Sequence, residues 1–357
     1  MQSQSKFRLL VVRLGAMGDI LHALPAVTAL RMAHPEWEIH WIVEPMWRGL
    51  LAAEKSTGRD TGSYAPMQPL IDRIHFACTR QWRHNLFARQ TGQEIGALRR
   101  ALKQEQFDAV IDFQGALRSA VIGRMARSSR FVGESKPREW SARWLFTDRV
   151  HTRGEHVIEQ DVELASAIAG DALTPVQPSL PVDPPAETWA DGILRSGEPA
   201  ILINPGAGWG AKRWPVERYA EVARSLLNRG LRVLVNAGPG EVLLANEIVK
   251  RTGGGATSLL CSVEQLVAIT RRVCLAIAGD TGPLHLACAL CRPVVGIYGP
   301  TDPGRNGPFG TRFKVLRSPD SRRDHARREA PEAGLLTISP ENVLEAAEEL
   351  LYSGAAR

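Results

Sequence analysis

The chain has 357 residues, about twice the length of a typical domain, so we expect two hydrophobic cores. Hydrophobic residues make up 44% and charged residues 23% of the composition, which excludes a disordered or fibrous protein. No stretch approaches the roughly 18 consecutive apolar residues of a spanning helix, and the first residues lack a signal-peptide core, so we expect a cytoplasmic protein.

The net charge of +6 indicates anionic partners. Arginine is concentrated in the segments 80–84, 118–130 and 322–328, each of which is typical of a solvated surface. No nucleic-acid-binding motif accompanies this charge, so nucleic acid is not an expected partner. Five cysteines, an odd number, indicate reduced thiols, and the single Cys288/Cys291 pair lacks the second pair of a zinc site.

The first element is a continuous apolar strand at Leu9–Val12, as expected for a strand buried on both faces of a parallel sheet. Gly15 and Gly18 then permit a tight turn, and Asp19 is expected directly before an amphipathic helix. Most aspartates in this position only cap the helix. A catalytic carboxylate is the alternative.

Strand, glycine turn and helix recur along the chain, which predicts an α/β fold with doubly wound parallel sheets. Five prolines between residues 175 and 185 predict a linker. We therefore expect an N-terminal Rossmann-like domain at residues 1–175, a linker at 176–188 and a C-terminal domain at 189–357, with the ligand bound in the cleft between the two domains. The last helix is considered to pack back on the N-terminal domain. A polar segment at residues 54–69 is predicted to be a mobile surface loop.

Two loops of the second half are suited to anions. Asn204–Pro215 reads NPGAGWGAKRWP, in which glycines expose backbone amides and Lys212 adds a positive charge. A flexible loop with an incidental lysine is the alternative. The second loop reads GDTGPLH from Gly279 to His285, where Thr281 and Gly282 offer donors at a helix N-terminus. His285 adds a donor or is simply a packed core residue.

Several common nucleotide-binding and metal-binding patterns are missing from the sequence. Neither GxGxxG with a following acidic residue nor GxxxxGK[ST] occurs, which disfavours hydride transfer and P-loop hydrolysis. No DxD pair occurs either, so a metal held against a sugar diphosphate lacks its usual ligands.

Four motifs, MGDILHALPAV, AKRWP, GDTGPLHLA and YGPTDPG, resemble glycosyltransferase family 9, above all the ADP-heptose:lipopolysaccharide heptosyltransferases. The resemblance covers nearly the whole chain. It implies the GT-B architecture, two Rossmann-like domains facing across a cleft. It also implies inverting transfer of heptose from ADP-L-glycero-D-manno-heptose to the lipopolysaccharide inner core, with no metal and no cofactor.

The same resemblance assigns the site residues. Asp19 matches the catalytic aspartate, a general base that would deprotonate the acceptor hydroxyl. Lys212 matches the lysine on the donor phosphates, and Glu241 stands where the family has an acid near the ribose. The remaining donor positions lie in the two anion loops: Ala207, Gly208, Asp280, Thr281, Gly282 and His285. One heptosyltransferase type has threonines at 207 and 208.

On the acceptor side, the segment RQWRH resembles the basic, tryptophan-centred segment that meets anionic sugars. The residues implied are Arg80, Trp82, Arg83 and His84, with Arg13, Gln114, Arg118 and Arg138 as less certain additions. Guanidinium groups pair with both carboxylate and phosphate, which suits an acceptor bearing both.

Within the family the motifs are closest to heptosyltransferase I, which implies Kdo-lipid A as acceptor, although NPGAGWGAKRWP is closer to heptosyltransferase II. The lipid acceptor implies peripheral attachment to the cytoplasmic face of the inner membrane, for which we expect the arginines near 80 and 322. A sugar-nucleotide 2-epimerase, a non-catalytic binding protein and a Rossmann dehydrogenase remain as alternatives.

Overall fold

The computed structural model describes residues 6–53, 70–85, 87–195, 197–238, 240–324 and 328–352. The chain divides into two compact units, Met1–Pro181 and Val182–Arg357, which we call unit 1 and unit 2. The predicted loop at 54–69 lies outside the described residues.

Unit 1 contains a six-stranded parallel sheet in the order β3-β2-β1-β4-β5-β6. Its strands are β1 (Arg8–Val12), β2 (Glu38–Val43), β3 (Arg73–Phe76), β4 (Ala109–Asp112), β5 (Arg130–Glu134) and β6 (Asp148–Val150). Its helices are α1 (Met17–Ala33), α2 (Thr79–His84), α3 (Arg89–Glu105), α4 (Leu117–Arg124) and α5 (Val157–Ala169), with 3₁₀ turns at Pro45–Leu50 and Trp140–Leu145.

Unit 2 repeats this plan with a parallel sheet in the order β12-β11-β10-β7-β8-β9. Its strands are β7 (Ala200–Asn204), β8 (Arg232–Ala237), β9 (Thr257–Leu260), β10 (Leu275–Gly279), β11 (Val294–Tyr298) and β12 (Phe313–Arg317). Its helices are α6 (Pro184–Ile193), α7 (Val216–Asn228), α8 (Val242–Arg251), α9 (Val263–Arg272), α10 (Gly282–Ala289), α11 (Pro303–Asn306) and α12 (Pro340–Tyr352), with 3₁₀ turns at Gly210–Lys212 and Leu335–Thr337.

Both sheets have the strand order of a Rossmann fold, because the first and fourth strands of each unit are neighbours. The order reverses between β1 and β4 in unit 1 and between β7 and β10 in unit 2. In open α/β sheets, ligands bind outside the carboxyl ends of the strands at such a reversal. The loops that follow these four strands are therefore the candidate binding and catalytic sites. The predicted α/β class is confirmed.

Helix α1 differs from the amphipathic helix expected after the first strand. Twelve of its 17 residues are buried, and Leu21, Ala23 and Leu24 cover more than one side of the helix. One reason is that α5 packs against it in addition to the sheet. A helix covered in this way carries apolar residues nearly all round.

The proline-rich segment contains a helix start, which corrects the linker predicted through residue 188. Helix α6 begins at Pro184, and Asp183 caps it by accepting a hydrogen bond from the amide of Ala186 at 3.0 Å. Proline is tolerated in the first helical turn, where its missing N–H has no helical partner. The division between the units falls one residue before this cap, at Val182.

The last helix packs within its own unit. Helix α12 contacts α7, β11 and β12, whereas the sequence led us to consider a return to the N-terminal domain. Among the helices of the described ranges, none is long and apolar enough to cross a bilayer.

Candidate active site

The first loop of unit 1 joins Arg13 to the start of α1. Arg13 is 5% exposed, and its Nε donates to the backbone oxygen of Asp19 at 3.0 Å. A second nitrogen of the guanidinium lies 3.6 Å from the Asp19 carboxylate. The cation therefore fixes both the backbone and the side chain of this aspartate from the buried side.

Asp19 lies inside the helix and not directly before it, which corrects its predicted N-cap position. The helix begins at Met17, so Asp19 is its third residue, and Oδ2 accepts a hydrogen bond from the amide of Ala16 at 3.1 Å. This is the reach-back half of a capping box. The side chain remains 38% exposed, so capping leaves the carboxylate within reach of a ligand.

Asp112 is a second carboxylate at the same edge, at the end of β4. Its Oδ1 accepts hydrogen bonds from the amides of Gln114 at 2.7 Å and Gly115 at 3.0 Å. Its Oδ2 is buried and has no hydrogen-bond partner among the described residues. Burial raises the pKa of Asp112 to about 6, although the Ser119 hydroxyl, these two amide bonds and the charge of Arg13 oppose the rise. The sequence analysis missed this residue, although an aspartate at the end of an apolar strand was its signal.

Gln114 holds the two loops of the reversal together. Its side-chain oxygen accepts a hydrogen bond from the amide of Leu14 at 2.9 Å, and the residue is 7% exposed. The structure therefore gives Gln114 a positioning role at the edge of the sheet. Its predicted contact with an acceptor is not tested by this geometry.

Asp161 on α5 is a third carboxylate in this neighbourhood. It is 3% exposed, and its Oδ2 has no hydrogen-bond partner in the described part of the chain. Burial raises the pKa of Asp161 to about 7; Arg13 opposes the rise, whereas the acidic groups of Asp19, Glu134 and Asp112 add to it. Asp161 could not be singled out from the sequence, because a single acid on an amphipathic helix is typical of a solvated position.

The buried carboxyl of Asp161 makes stability depend on pH. Its pKa is about 4 in an unfolded chain and about 7 in the folded one. The folded state therefore holds the proton more tightly, and the free energy of unfolding falls as the pH rises from about 4 to about 7. Above about pH 7 the free energy of unfolding no longer changes through Asp161, because its carboxyl is ionised in both states.

We expect Asp161→Asn to remove this dependence, because the amide stays neutral. The free energy of unfolding of the variant minus that of the wild type should be larger at pH 8 than at pH 5 by on the order of 2 kcal/mol, since one pKa unit corresponds to about 1.4 kcal/mol. Urea unfolding at both pH values measures the difference. Asp171→Asn, at an exposed position of the same unit, is the control. An identical stability change at both pH values would contradict the assignment.

In unit 2, an ion pair joins the loops that follow β7 and β10. Lys212 Nζ lies 2.5 Å from Asp280 Oδ2, and the two side chains are 11% and 10% exposed. His285 Nε2 lies 3.3 Å from the other oxygen of the same carboxylate. Burial raises the pKa of Asp280, but the bonds and charges of His285 and Lys212 outweigh it and hold that pKa well below its usual range. The two predicted anion loops are thus parts of one cluster.

The surroundings of Lys212 are partly aromatic and partly backbone. Its ammonium lies 4.4 Å from the centre of the Trp209 ring, within the range of a cation–π interaction. Ala207 before it is buried and Gly208 is exposed, so the predicted donor amides differ in their access to solvent.

The N-terminus of α10 provides further donors. Thr281 is its N-cap, but its hydroxyl bonds the backbone oxygen of Gly279 at 3.3 Å and does not cap the helix. The helix starts at Gly282, whose lack of a side chain leaves the backbone open. His285, one turn on, is 6% exposed, and its ring is both packed in the core and bonded to Asp280.

Glu241 lies at the N-cap of α8, in the loop after β8. Its Oε2 accepts a hydrogen bond from the amide of Gly238 at 3.1 Å. A Cβ added to Gly206 would lie 2.0 Å from the same oxygen, so a side chain at this position would displace the Glu241 carboxylate. The carboxylate predicted for the ribose therefore borders the glycine loop that follows β7.

The predicted acceptor segment forms the short helix α2. Arg80, Arg83 and His84 are exposed, and the guanidinium of Arg80 lies 5.9 Å from the centre of the Trp47 ring. Trp82 is 7% exposed and packs in the core of unit 1, where its indole donates to Glu94 at 2.8 Å. The structure therefore does not support an acceptor contact for Trp82, because its ring is the buried face of the helix.

Arg118 and Arg138 are exposed near the carboxyl end of β4. Two hydrogen bonds tie their loops together: the amide of Glu139 donates to the backbone oxygen of Gly115 at 2.8 Å, and the amide of Leu117 donates to the Glu139 carboxylate at 2.9 Å. Both arginines thus lie beside the loop that holds Asp112 and Gln114.

One group of metal-ligand types occurs among the described residues. Ligand atoms of His40, His75 and Glu105 lie within 4.8 Å of one another. The two imidazole nitrogens are 3.0 Å apart in a hydrogen bond, and His40 also bonds Glu38 at 3.1 Å. His40, His75 and Glu38 are hydrogen-bonded to one another on β2 and β3, and Glu105, the last residue of α3, pairs with Arg73. Each of these groups therefore has a partner within the protein, as in a structural polar network.

The comparisons with known proteins define the family. A family model for glycosyltransferase family 9 (heptosyltransferase) matches residues 95–335. The chain therefore belongs to glycosyltransferase family 9, and it is a glycosyltransferase.

Individual relatives match most of the chain. Lipopolysaccharide heptosyltransferase 1 of Escherichia coli K12 is 28% identical over 323 residues, which cover 87% of this chain and 94% of that protein. The solved structure of E. coli heptosyltransferase WaaC with ADP-2-deoxy-2-fluoro heptose has a TM-score of 0.75 at 26% identity, covering 96% of this chain and 99% of that one. Lipopolysaccharide heptosyltransferase 2 of E. coli K12 is 32% identical over 177 residues, 46% of this chain and 50% of that protein. The GT-B class expected from the sequence is confirmed.

The ion pair of unit 2 generates a prediction about stability. Lys212→Ala leaves the buried Asp280 carboxylate without its cation, and breaking a buried pair in this way costs about 3–5 kcal/mol. Lys314→Ala is the matched control, because its partner Glu349 and Lys314 itself are 52% and 43% exposed. Such an exposed pair contributes about 0–1 kcal/mol. Equal losses in urea unfolding would show that the Lys212 pair is not a structural element of unit 2.

Proposed function

We propose that the protein is heptosyltransferase I, which transfers heptose from ADP-L-glycero-D-manno-heptose to Kdo-lipid A. The observation that carries the proposal is a polar cluster at the strand-order reversal of each unit. The cluster of unit 1 contains the partly exposed Asp19 carboxylate, and the cluster of unit 2 contains the largely shielded Lys212 ammonium. The similarity to a heptosyltransferase 1 along 94% of its length supports the choice of type I.

Unit 1 supplies the base in this proposal. Asp19 accepts the proton of the acceptor hydroxyl as that oxygen attacks the anomeric carbon of heptose, and the product is formed with inversion. Arg13 holds the carboxylate in place through its bonds to the backbone and side chain of Asp19. A base fixed by a helix start and a buried cation loses little entropy when the acceptor binds.

Unit 2 binds the donor in this proposal. An ammonium has three N–H donors, so the bond from Lys212 to Asp280 leaves donors for a phosphate oxygen. The Thr281 hydroxyl, the Gly282 amide and His285 stabilise the charge that develops on the leaving diphosphate. The amides of residues 207 and 208 add to this, and Glu241 accepts from the ribose. In this proposal the hydrogen bonds of these groups stabilise the diphosphate, and no divalent metal is required.

The acceptor is recognised by exposed polar side chains of unit 1. Arg80, Arg83, Arg118 and Arg138 pair with the carboxylates and phosphates of Kdo-lipid A, and His84 adds a hydrogen-bonding ring. A lipid acceptor places the enzyme at the cytoplasmic face of the inner membrane, attached peripherally.

Replacement of the base separates binding from chemistry. Asp19→Asn keeps the size of the side chain and an oxygen that accepts from Ala16, so the helix start is retained. We expect turnover to fall at least about 100-fold, because general-base catalysis is worth roughly 10²- to 10⁴-fold, while ADP binding in calorimetry stays unchanged. Wild-type turnover in Asp19→Asn would refute the general-base role.

The acceptor is identified by a mass-spectrometric assay in the presence of EDTA. The protein is incubated with ADP-heptose and either Kdo-lipid A or its heptosylated product, and we expect only Kdo-lipid A to gain a heptose. Gain by the heptosylated product would instead identify heptosyltransferase II, the second candidate, to which this chain is 32% identical over 177 residues. Release of ADP at the same rate without any acceptor would contradict transfer altogether.

A further inference from the structure

Two exposed tryptophans lie together on unit 1. The chain has nine tryptophans, and of these only Trp140 and Trp144, which are 57% and 68% exposed, have exposed side chains. Arg143 connects them, because its guanidinium lies 4.3 Å from the centre of the Trp140 ring and 5.9 Å from that of Trp144. The guanidinium of Arg149 lies 5.7 Å from the centre of the Trp144 ring.

The neighbouring helix α4 extends this apolar surface. It packs against the 3₁₀ turn Trp140–Leu145. Leu117 and Val121 are 41% and 46% exposed and lie one helical turn apart on the same face of α4. We call these two residues with Trp140 and Trp144 the tryptophan patch. Exposed apolar groups in such a cluster mark an interaction site.

The charge around the tryptophan patch is strongly positive. Between residues 117 and 149 the sequence has eight basic and three acidic residues. The three acids already accept hydrogen bonds within the unit: Glu134 from Thr152, Glu139 from the amide of Leu117, and Asp148 from Arg130. With eight basic and three acidic residues, the segment has a net charge of +5, which complements an anionic surface.

The patch is continuous with the edge of the sheet that carries the proposed base. Leu117 starts α4 directly after the loop of Asp112 and Gln114, and Glu139 is bonded to Leu117 and Gly115 just before Trp140. A flat partner that contacts the tryptophans therefore reaches the carboxyl ends of β4 and β1 in the same unit.

We propose that the tryptophan patch docks unit 1 on the surface of an anionic lipid bilayer. Tryptophan rings favour the headgroup region, where one part of the ring is apolar and the N–H stays hydrated. Arginine adds attraction to acidic headgroups, and its contact with the rings keeps the cations at the same depth. This location differs from the arginines near 80 and 322 considered from the sequence. Its biological purpose rests on the proposed lipid acceptor.

The test is co-sedimentation of the full chain with phosphatidylcholine vesicles that contain or lack phosphatidylglycerol. We expect binding to the anionic vesicles that weakens at high salt, and at least about tenfold weaker binding to the neutral ones. The double variant Trp140→Ser/Trp144→Ser should reduce the partition coefficient at least about fivefold. Its matched control is Leu243→Ser/Leu260→Ser, at positions 84% and 65% exposed in unit 2, which should bind as the wild type does.

Wild-type binding by the tryptophan variant, or no binding by the wild type, would overturn the proposal. A second outcome would also overturn it: the wild type is a dimer in sizing experiments, the tryptophan variant is a monomer, and neither binds vesicles. The tryptophan patch would then be covered by a second copy of the chain. Heptose transfer to detergent-solubilised Kdo-lipid A is measured separately. Vesicle binding without transfer would refute the proposed function and leave the lipid surface standing.

Discussion

The polar cluster of each unit depends on one largely shielded cation after the first strand, whose charge acts on the acid at the carboxyl end of the fourth strand. In unit 2 this is the direct pair of Lys212 and Asp280. In unit 1 the cation is Arg13, which touches Asp19 and whose charge opposes the raised pKa of Asp112. The Rossmann strand order makes this possible, because the first and fourth strands are neighbours and their loops diverge to opposite faces of the sheet. A polar group in the gap between these loops needs a partner, since water has limited access.

The two units use the same arrangement for different purposes. In unit 2 the charges of Lys212 and Asp280 compensate each other, so the pair holds the two loops together beside the backbone N–H donors of α10. In unit 1 a single cation faces three carboxylates, namely Asp19, Asp112 and Asp161. The two buried carboxyls have raised pKa values, and Asp19 is the one that solvent reaches. We consider this excess of carboxyl groups over cations the physical basis for a carboxylate that accepts a proton from the hydroxyl of a bound acceptor.

Much of the fold, and the two loops that form the unit 2 cluster, could be predicted from the sequence. Continuous apolar runs such as Leu9–Val12 identify buried parallel strands, and ligands in open α/β sheets bind at the loops that follow such strands. In unit 2 these loops hold Lys212 and Asp280. These signals are local, so a single sequence carries them. The loops around Lys212 and His285 were assigned separately, but only the pairing of β7 with β10 shows that they form one cluster.

The failures came from contacts between distant segments. Trp82 was assigned to the acceptor because RQWRH resembles a tryptophan-centred acceptor segment of the family, yet the ring packs in the core of unit 1. Asp161 gave no signal because its burial depends on the packing of α5 against α1. The start of α6 at Pro184 was hidden because proline disfavours a helix interior but not its first turn. The tryptophan patch was equally hidden, since exposure of an aromatic residue is a property of the packed unit.

The central claim is that the Asp19 carboxylate removes the proton of the acceptor hydroxyl. It is tested most directly by incubating Asp19→Ala with ADP-heptose, Kdo-lipid A and increasing concentrations of formate, and measuring heptosylated product by mass. The account predicts that formate raises the rate in the variant, because a free carboxylate replaces the missing base, and leaves the wild-type rate unchanged. Transfer by Asp19→Ala at the wild-type rate without formate would contradict it.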